Sequence, residues 1–375
     1  MTVLKGMTWS HPRGYDPMVA CAALWSERSG VAIDWDKRSL QDFESFPVEE
    51  LARAYDLIVI DHPHTGQIVA EGCLAPLDTP DRAEEMAAIA RGSVGPSFAS
   101  YTMAGRQWAL PLDAATQVQA WRPDLLDGPV TGWDAVIAQA RAGRVVLPLR
   151  PPHVLMCVMT FAANLGRAPA PVETHGFLDP ETGAEDSARL QELAALVAPE
   201  CHGMDPIAAF EAMAEQGSGL ALCPYGYGYA NYALDGFRPH RLAFGDIPVL
   251  GTNGPCGAAL GGTGIAVSAR SSHVAAARDF AYYVASGPVQ AGPYAAAGGQ
   301  PGHRDAWTDP RINARFLGFF RNTLATLDAS YLRPRHDGYM IFQQAASEVL
   351  DAGLKARTAP AALTAKLNEM YQTCL

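Results

Sequence analysis

Residues Asp56 to Gly66 read DLIVIDHPHTG, and no other stretch narrows the fold as much. Leu57-Ile58-Val59-Ile60 is short and wholly apolar, with β-branched side chains at all but its first position. That is the pattern of a strand buried on both faces of a parallel sheet. It ends at Asp61-His62-Pro63-His64, and Thr65-Gly66 opens an amphipathic segment, Gln67 to Cys73. Strand, polar turn and helix start put the turn at the carboxyl end of a strand, where open α/β sheets hold ligands against exposed helix N–H groups. Asp61, His62 and His64 suit hydrogen bonding or proton chemistry there. Equally, Asp61 suits a helix cap and the histidines a solvent-facing loop.

The preceding residues alternate in the same way. Val3–Trp9 reads as a strand, followed by the polar loop Ser10-His11-Pro12-Arg13-Gly14. A helix is predicted from about Asp16 to Ser29, with Pro17 in its first turn and Gly30 as its stop. Val31–Trp35 alternates as a strand does, and Pro47–Ala54 is a short helix leading to Leu57. His11 and Arg13 follow Trp9 as Asp61, His62 and His64 follow Ile60. In parallel neighbours both loops open on one sheet edge and share a site. The alternative for Arg13 is a pairing with Asp16 that fixes the turn.

Further on, Tyr101–Met103 and Gln107–Leu110 read as a hairpin around Ala104-Gly105-Arg106. Asp113 follows Pro111 where the chain crosses into a second domain. Tyr225, Tyr227 and Tyr229 alternate with small residues just after a short predicted strand, Gly219–Cys223. On an extended backbone their rings share one face and make a stacking wall. The alternative is a Gly-rich loop with its tyrosines on the domain surface. Gly257 to Gly264, with Thr263, leads into a predicted strand at Ile265–Ser268. Its glycines let backbone pass close to a ligand or to the other domain. No Lys-Ser/Thr follows, so this is not a phosphate-cradling loop.

Composition sets the outer bounds. At 375 residues the chain exceeds one ordinary core, and two domains are expected. The 28 basic residues form no run and are outnumbered by 39 acidic ones, which argues against a nucleic-acid partner. The longest apolar stretch, Val154 to Ala163 interrupted only by Thr160, is about half of a membrane span, so no membrane insertion is expected. The first residues show no basic-then-apolar leader. A cytoplasmic location is therefore expected for the chain as written, and a periplasmic one if a signal was removed. Seven cysteines without a C-x-x-C pair read as buried, reduced thiols. No H-x-x-x-H spacing appears, and neither a metal nor a cofactor is expected.

Taken in order, these segments resemble the extracellular solute-binding proteins of ABC transporters, the sugar-type, maltose-binding-protein-like family. The resemblance rests on the opening strand, DLIVID with its loop, Ala109-Leu110-Pro111, and Trp121-Arg122-Pro123-Asp124-Leu125-Leu126. It continues through Gly261-Gly262 with Ile265–Ser268, the segment AARDFAYYVASGPVQ, Gly298-Gly299-Gln300-Pro301 and Arg333-Pro334-Arg335. It covers essentially the whole chain. It implies an α/β, two-lobed periplasmic-binding-protein-like fold of type II, with a ligand cleft between lobes that close by hinge motion. The implied lobes are 1–112 plus 256–306, and 113–255 plus 307–375.

By position, the resemblance implies ligand contacts at Trp9, His11, Arg13, Asp61, His62, His64, Asp113, Tyr225, Tyr227, Tyr229 and Thr263, with Arg333 and Arg335 as additions. Surface ion-pairing is the alternative for the last two. The chain departs from the family in its missing export signal, its four lysines, and ligand loops rich in His and Arg. Arginine forks hold carboxylate or phosphate, so the expected ligand is small, polar and anionic. An ABC permease is the expected partner if the chain is exported. The alternative is a cytosolic enzyme on the same scaffold, a dehydratase, isomerase or hydrolase. In it His11, Asp61, His62 and His64 would do acid–base work on an anionic substrate.

Overall fold

Leu57–Asp61 is a strand in the computed structural model, which describes residues 2–40, 42, 46–170 and 176–375. Leu57 and Val59 enter one apolar cluster, with Leu4, Met18, Phe280 and Val284. Ile58 and Ile60 enter another, with Met7, Leu51, Ile68 and Trp108. Alternate residues point to opposite faces of a strand, so a wholly apolar run needs a core on each side. Each of these four side chains contributes about 1.5–3 kcal/mol by burial.

The chain forms two compact units, and it passes between them after Ala115, Leu260, Ala314, Pro334 and Asp337. In the first unit, β1 (Val3–Trp9) pairs in parallel with β2 (Ala32–Arg38) on one side. On its other side it pairs in parallel with β3 (Leu57–Asp61), Gly6 facing Leu57. A two-residue strand, β4 (Leu74–Ala75), and a hairpin of β5 (Thr102–Met103) and β6 (Arg106–Gln107) follow. The hairpin turn has Ala104 and Gly105 both at positive φ, 51° and 73°, as a tight β-turn of the primed kind requires. β7 (Leu110–Trp121) is one continuous buried strand whose residues change unit after Ala115.

Two sequence expectations change here. The sheet is mixed, because the partner of β3 across from β1 is the antiparallel strand β10 (Leu260–Ser268), with Thr263 opposite Asp61. β10 also starts earlier than predicted, so Gly261, Gly262 and Gly264 lie within it. A Cβ on Gly262, at φ +93°, would come within 2.3 Å of the Asp113 carbonyl oxygen, and one on Gly264 within 2.7 Å of the Tyr101 ring. These glycines let the strand touch its own unit.

The second unit is built on the far half of β7. It pairs antiparallel with β8 (Leu222–Tyr227), Gln117 facing Tyr227, and with β9 (Ala243–Gly245), Gln119 facing Gly245. The helix His153–Asn164 is buried at every position, which explains why its sequence is apolar but for His153, Thr160 and Asn164. Phe177, Phe342 and Tyr371 form an aromatic knot that fastens the last two helices, Tyr339–Ala356 and Pro360–Gln372. All seven cysteines are free thiols. Cys21, Cys73, Cys157, Cys201 and Cys223 are buried, while Cys256 and Cys374 are partly exposed. Burial pushes the thiols of Cys21, Cys73 and Cys157 up to about 12. Among the described residues, no helix is long and apolar enough to cross a membrane.

Candidate functional site

The parallel pairing of β1 with β3 sends both carboxyl ends to one edge of the first unit, and antiparallel β10 enters at that edge through Thr263. The helix after β1 begins earlier than the sequence suggests, at Pro12. Proline at the first helical position has no N–H to leave unsatisfied, and His11 caps the turn by accepting the Arg13 N–H on Nδ1 at 3.1 Å. Arg13 therefore sits in the first turn of a helix and not in a loop. Trp9 ends β1 with its ring against Gly14, where a Cβ would lie within 2.3 Å of the indole.

The side chain that Arg13 meets is Asp113. Its Nε donates to Asp113 Oδ2 at 2.7 Å and its Nη2 to Oδ1, a two-pronged pair. Arg13 is 4% exposed and Asp113 2%. Burial pushes the Asp113 carboxyl above the usual carboxylate range, against the pull of the guanidinium. Both residues stand among the expected ligand contacts, and each is engaged with the other.

At the end of β3 the chain makes a single 3₁₀ turn, His62–His64, before the helix Thr65–Glu71. Asp61 caps that turn, accepting the His62 N–H on Oδ1 at 2.8 Å. His62 Nδ1 lies 3.2 Å from the same oxygen. The histidines do not face solvent. His62 is fully buried, edge-on to Tyr101 with ring centres 6.4 Å apart, and His64 is buried as well. Thr263, across from Asp61, keeps a buried hydroxyl with no partner among the described residues. Gly66 packs directly on the Arg335–Asp337 segment, where a Cβ would lie 2.1 Å from the Arg335 carbonyl oxygen. The Arg335 guanidinium donates to the carbonyls of Thr102 at 3.0 Å and Ala99 at 3.3 Å, and burial lowers its pKa.

The remaining candidates belong to the second unit. Tyr225 is fully buried, T-shaped to Phe161 at 4.9 Å, and its hydroxyl donates to the Pro248 carbonyl at 2.9 Å. Tyr227, the last residue of β8, lies 6.1 Å from the ring of His153, which shares its helix with Phe161, and its hydroxyl donates to the Leu260 carbonyl at 3.4 Å. Tyr229 turns instead to Phe210. The shared tyrosine face expected from the sequence therefore holds for two rings and fails for the third. The strand ends at Tyr227, and Tyr229 already caps a 3₁₀ turn. Arg333 is buried, its Nε donating to the Leu260 carbonyl at 3.0 Å and its Nη1 to Gln343 Oε1 at 3.0 Å.

His153 is the residue that sequence reasoning passed over. It is buried beside Tyr227, and its Nδ1 has no partner among the described residues. Burial holds its pKa down at about 4, and the Arg150 and Arg333 cations push the same way against the opposing Asp205 carboxylate. The signal was a lone imidazole at the head of an otherwise apolar helix. Among the described residues, no group of three or more His, Cys, Asp or Glu is placed to hold a metal ion.

Comparison with known proteins then bears on this geometry. Residues 50–314 match the model of the bacterial extracellular solute-binding protein family. No curated protein matches the chain in sequence. Among solved structures, an ABC transporter solute-binding protein of Thermotoga lettingae bound with α-D-tagatose is similar, with TM-score 0.84, 14% identity and 100% of each chain covered. One from Agrobacterium radiobacter in complex with ribitol gives 0.81 and 18% identity, covering 100% of this chain and 99% of that one. Maltose-bound MalE3 of T. maritima gives 0.81 and 16%, with full coverage of both. Identities this low establish the two-lobed binding-protein fold and nothing finer.

Proposed function

The chain belongs to the bacterial extracellular solute-binding protein family, and from that premise we propose that it holds a neutral sugar or polyol and hands it to an ABC permease. The observation that carries the reading is the single polar edge of the first unit. There His11 follows β1, Asp61 and the His62–His64 turn end β3, and Thr263 of β10 stands opposite Asp61 with a buried hydroxyl. Hydroxyl, carboxylate and imidazole groups match the alternating donors and acceptors of a polyol. The ligands named for the similar structures, tagatose, ribitol and maltose, point to the same chemistry.

The expected anionic ligand loses support at the two buried arginines, Arg13 and Arg333. Arg13 is bidentate to Asp113, Arg333 bonds a carbonyl and an amide, and Arg335 bonds two carbonyls. At Arg13 and Arg333 a guanidinium already engaged inside the protein is not available to grip a carboxylate, whereas Arg335 is held through Nη2 alone.

A thermal-shift screen of hexoses, disaccharides, polyols and sugar acids tests this, each hit being followed by NMR during long incubation. A neutral sugar or polyol is expected to raise the melting point, with about 2.7 kcal/mol of stabilisation at a hundred times its Kd, and to be recovered unchanged. Preference for a sugar acid would overturn the neutral ligand, and consumption of the hit would overturn simple binding.

A further inference from the structure

Within the second unit lies a groove of about 580 Å³ that the reading above does not use. Trp121 and Gly245-Asp246-Ile247 line it, with Thr131 and Asn322 among its exposed residues. Its walls are tied down. The Gln119 amide donates to the carbonyls of Val130 at 2.8 Å and Asp246 at 2.7 Å, and accepts the Val130 N–H at 2.9 Å. A Cβ on Gly245 would come within 3.2 Å of the Trp121 ring, so the indole lies against bare backbone.

The polar groups around it are oriented but not consumed. Asp246 Oδ1 accepts the N–H of Thr326 at 2.9 Å and its hydroxyl at 2.7 Å. That holds the carboxylate in place and leaves Oδ2 without a partner among the described residues. The Trp121 indole N–H, the Thr131 hydroxyl and the Asn322 amide likewise have none among the described residues. Among the described residues no Lys, Arg or His lines the groove and Asp246 is its one carboxylate, so it repels anions. A space of this size with an aromatic ring, one carboxylate oxygen, an amide and a hydroxyl matches a sugar. The ring receives C–H groups, and neighbouring sugar hydroxyls donate to the carboxylate and exchange bonds with the amide.

We propose that this groove binds a neutral sugar ring, as a second carbohydrate site contained wholly within the second unit. The full chain labelled with 5-fluorotryptophan tests it by ¹⁹F NMR. The Trp121 resonance is assigned with Trp121→Phe and, independently, as the signal displaced by Asn322→Ala. D-Glucose and maltose should each move that resonance saturably, whereas D-glucuronate should leave it in place. Asn322→Ala and Thr131→Ala replace exposed side chains, so the melting point should hold while affinity falls about three- to tenfold for each lost hydrogen bond. The proposal is overturned if neither neutral sugar moves the resonance, if glucuronate moves it as strongly, or if both alanine variants bind as the wild type does.

Discussion

The polar end of β3 and the tyrosine run of β8 look alike in sequence, since both follow a short apolar strand, yet they end in opposite places. β3 stops at Asp61, and the chain turns at once through His62–His64, so its polar side chains collect at the sheet edge. β8 runs on through its tyrosines to Tyr227, and the pleat carries Tyr225 into the core against Phe161. Where a strand ends decides whether the residues that follow turn off the end of the sheet or stay on its pleat and pack along its face. Proline at position 63 stops one strand, whereas Gly226 does not stop the other.

The sharpest way to break this comparison is at Tyr225. Tyr225→Ala removes a fully buried ring and should cost about 3–5 kcal/mol in urea unfolding, whereas Tyr225→Phe loses only the bond to Pro248, about 1 kcal/mol. A small loss for the alanine variant would mean that the tyrosine is not core. Asp113→Ala should cost nearly as much, about 3–5 kcal/mol, because it strands the Arg13 guanidinium in a buried place. Arg13→Met combined with Asp113→Leu should recover most of that loss, and equal losses for the single and double variants would refute a simple ion pair.

The pH response comes next. His153 is held at about 4 in the folded chain against an ordinary 6.5, so the unfolded chain takes up the proton first as the medium is acidified. Stability from the neutral imidazole is complete above pH 6.5 and is lost as pH falls toward 4, by about 3 kcal/mol. His153→Gln should flatten that slope, which urea melts across the same range would measure. The smallest effect belongs to the edge of the first unit. Thr263→Val replaces a hydroxyl that has no partner among the described residues with a methyl of the same shape, so stability should shift by less than about 0.5 kcal/mol. Calorimetry should nonetheless show sugar affinity falling about three- to tenfold if that hydroxyl meets the solute.

How much of this could be read in advance follows from the range of the interactions. The double burial of Leu57–Ile60 was legible because it needs only the strand's own period and composition. The parallel pairing of β1 with β3, which sends the loops after Trp9 and Ile60 to one edge, followed from βαβ geometry. The Arg13–Asp113 pair was not legible, because its partners lie 100 residues apart and no local pattern joins them. Helix entry at Pro12 was missed because a histidine cap is less usual than Ser, Thr, Asp or Asn. The glycines before Ile265 signalled close approach, but a sequence does not name the surface approached. Here Gly262 and Gly264 meet Asp113 and Tyr101 within the first unit, and Gly257 meets Ala163 and Asn164 within the second.

The distribution of thiols has a practical consequence. In the first unit the only cysteines are Cys21 and Cys73, both buried and both with thiols pushed up to about 12. The partly exposed pair, Cys256 and Cys374, belongs to the second unit. A maleimide dye applied to the native chain will therefore mark one lobe and leave the other dark. Replacing either exposed cysteine with serine reduces the label to a single fluorophore, and a cysteine newly placed in the first unit supplies the matching acceptor. Without rebuilding its core, the chain is already laid out as the starting material for a two-colour solute sensor.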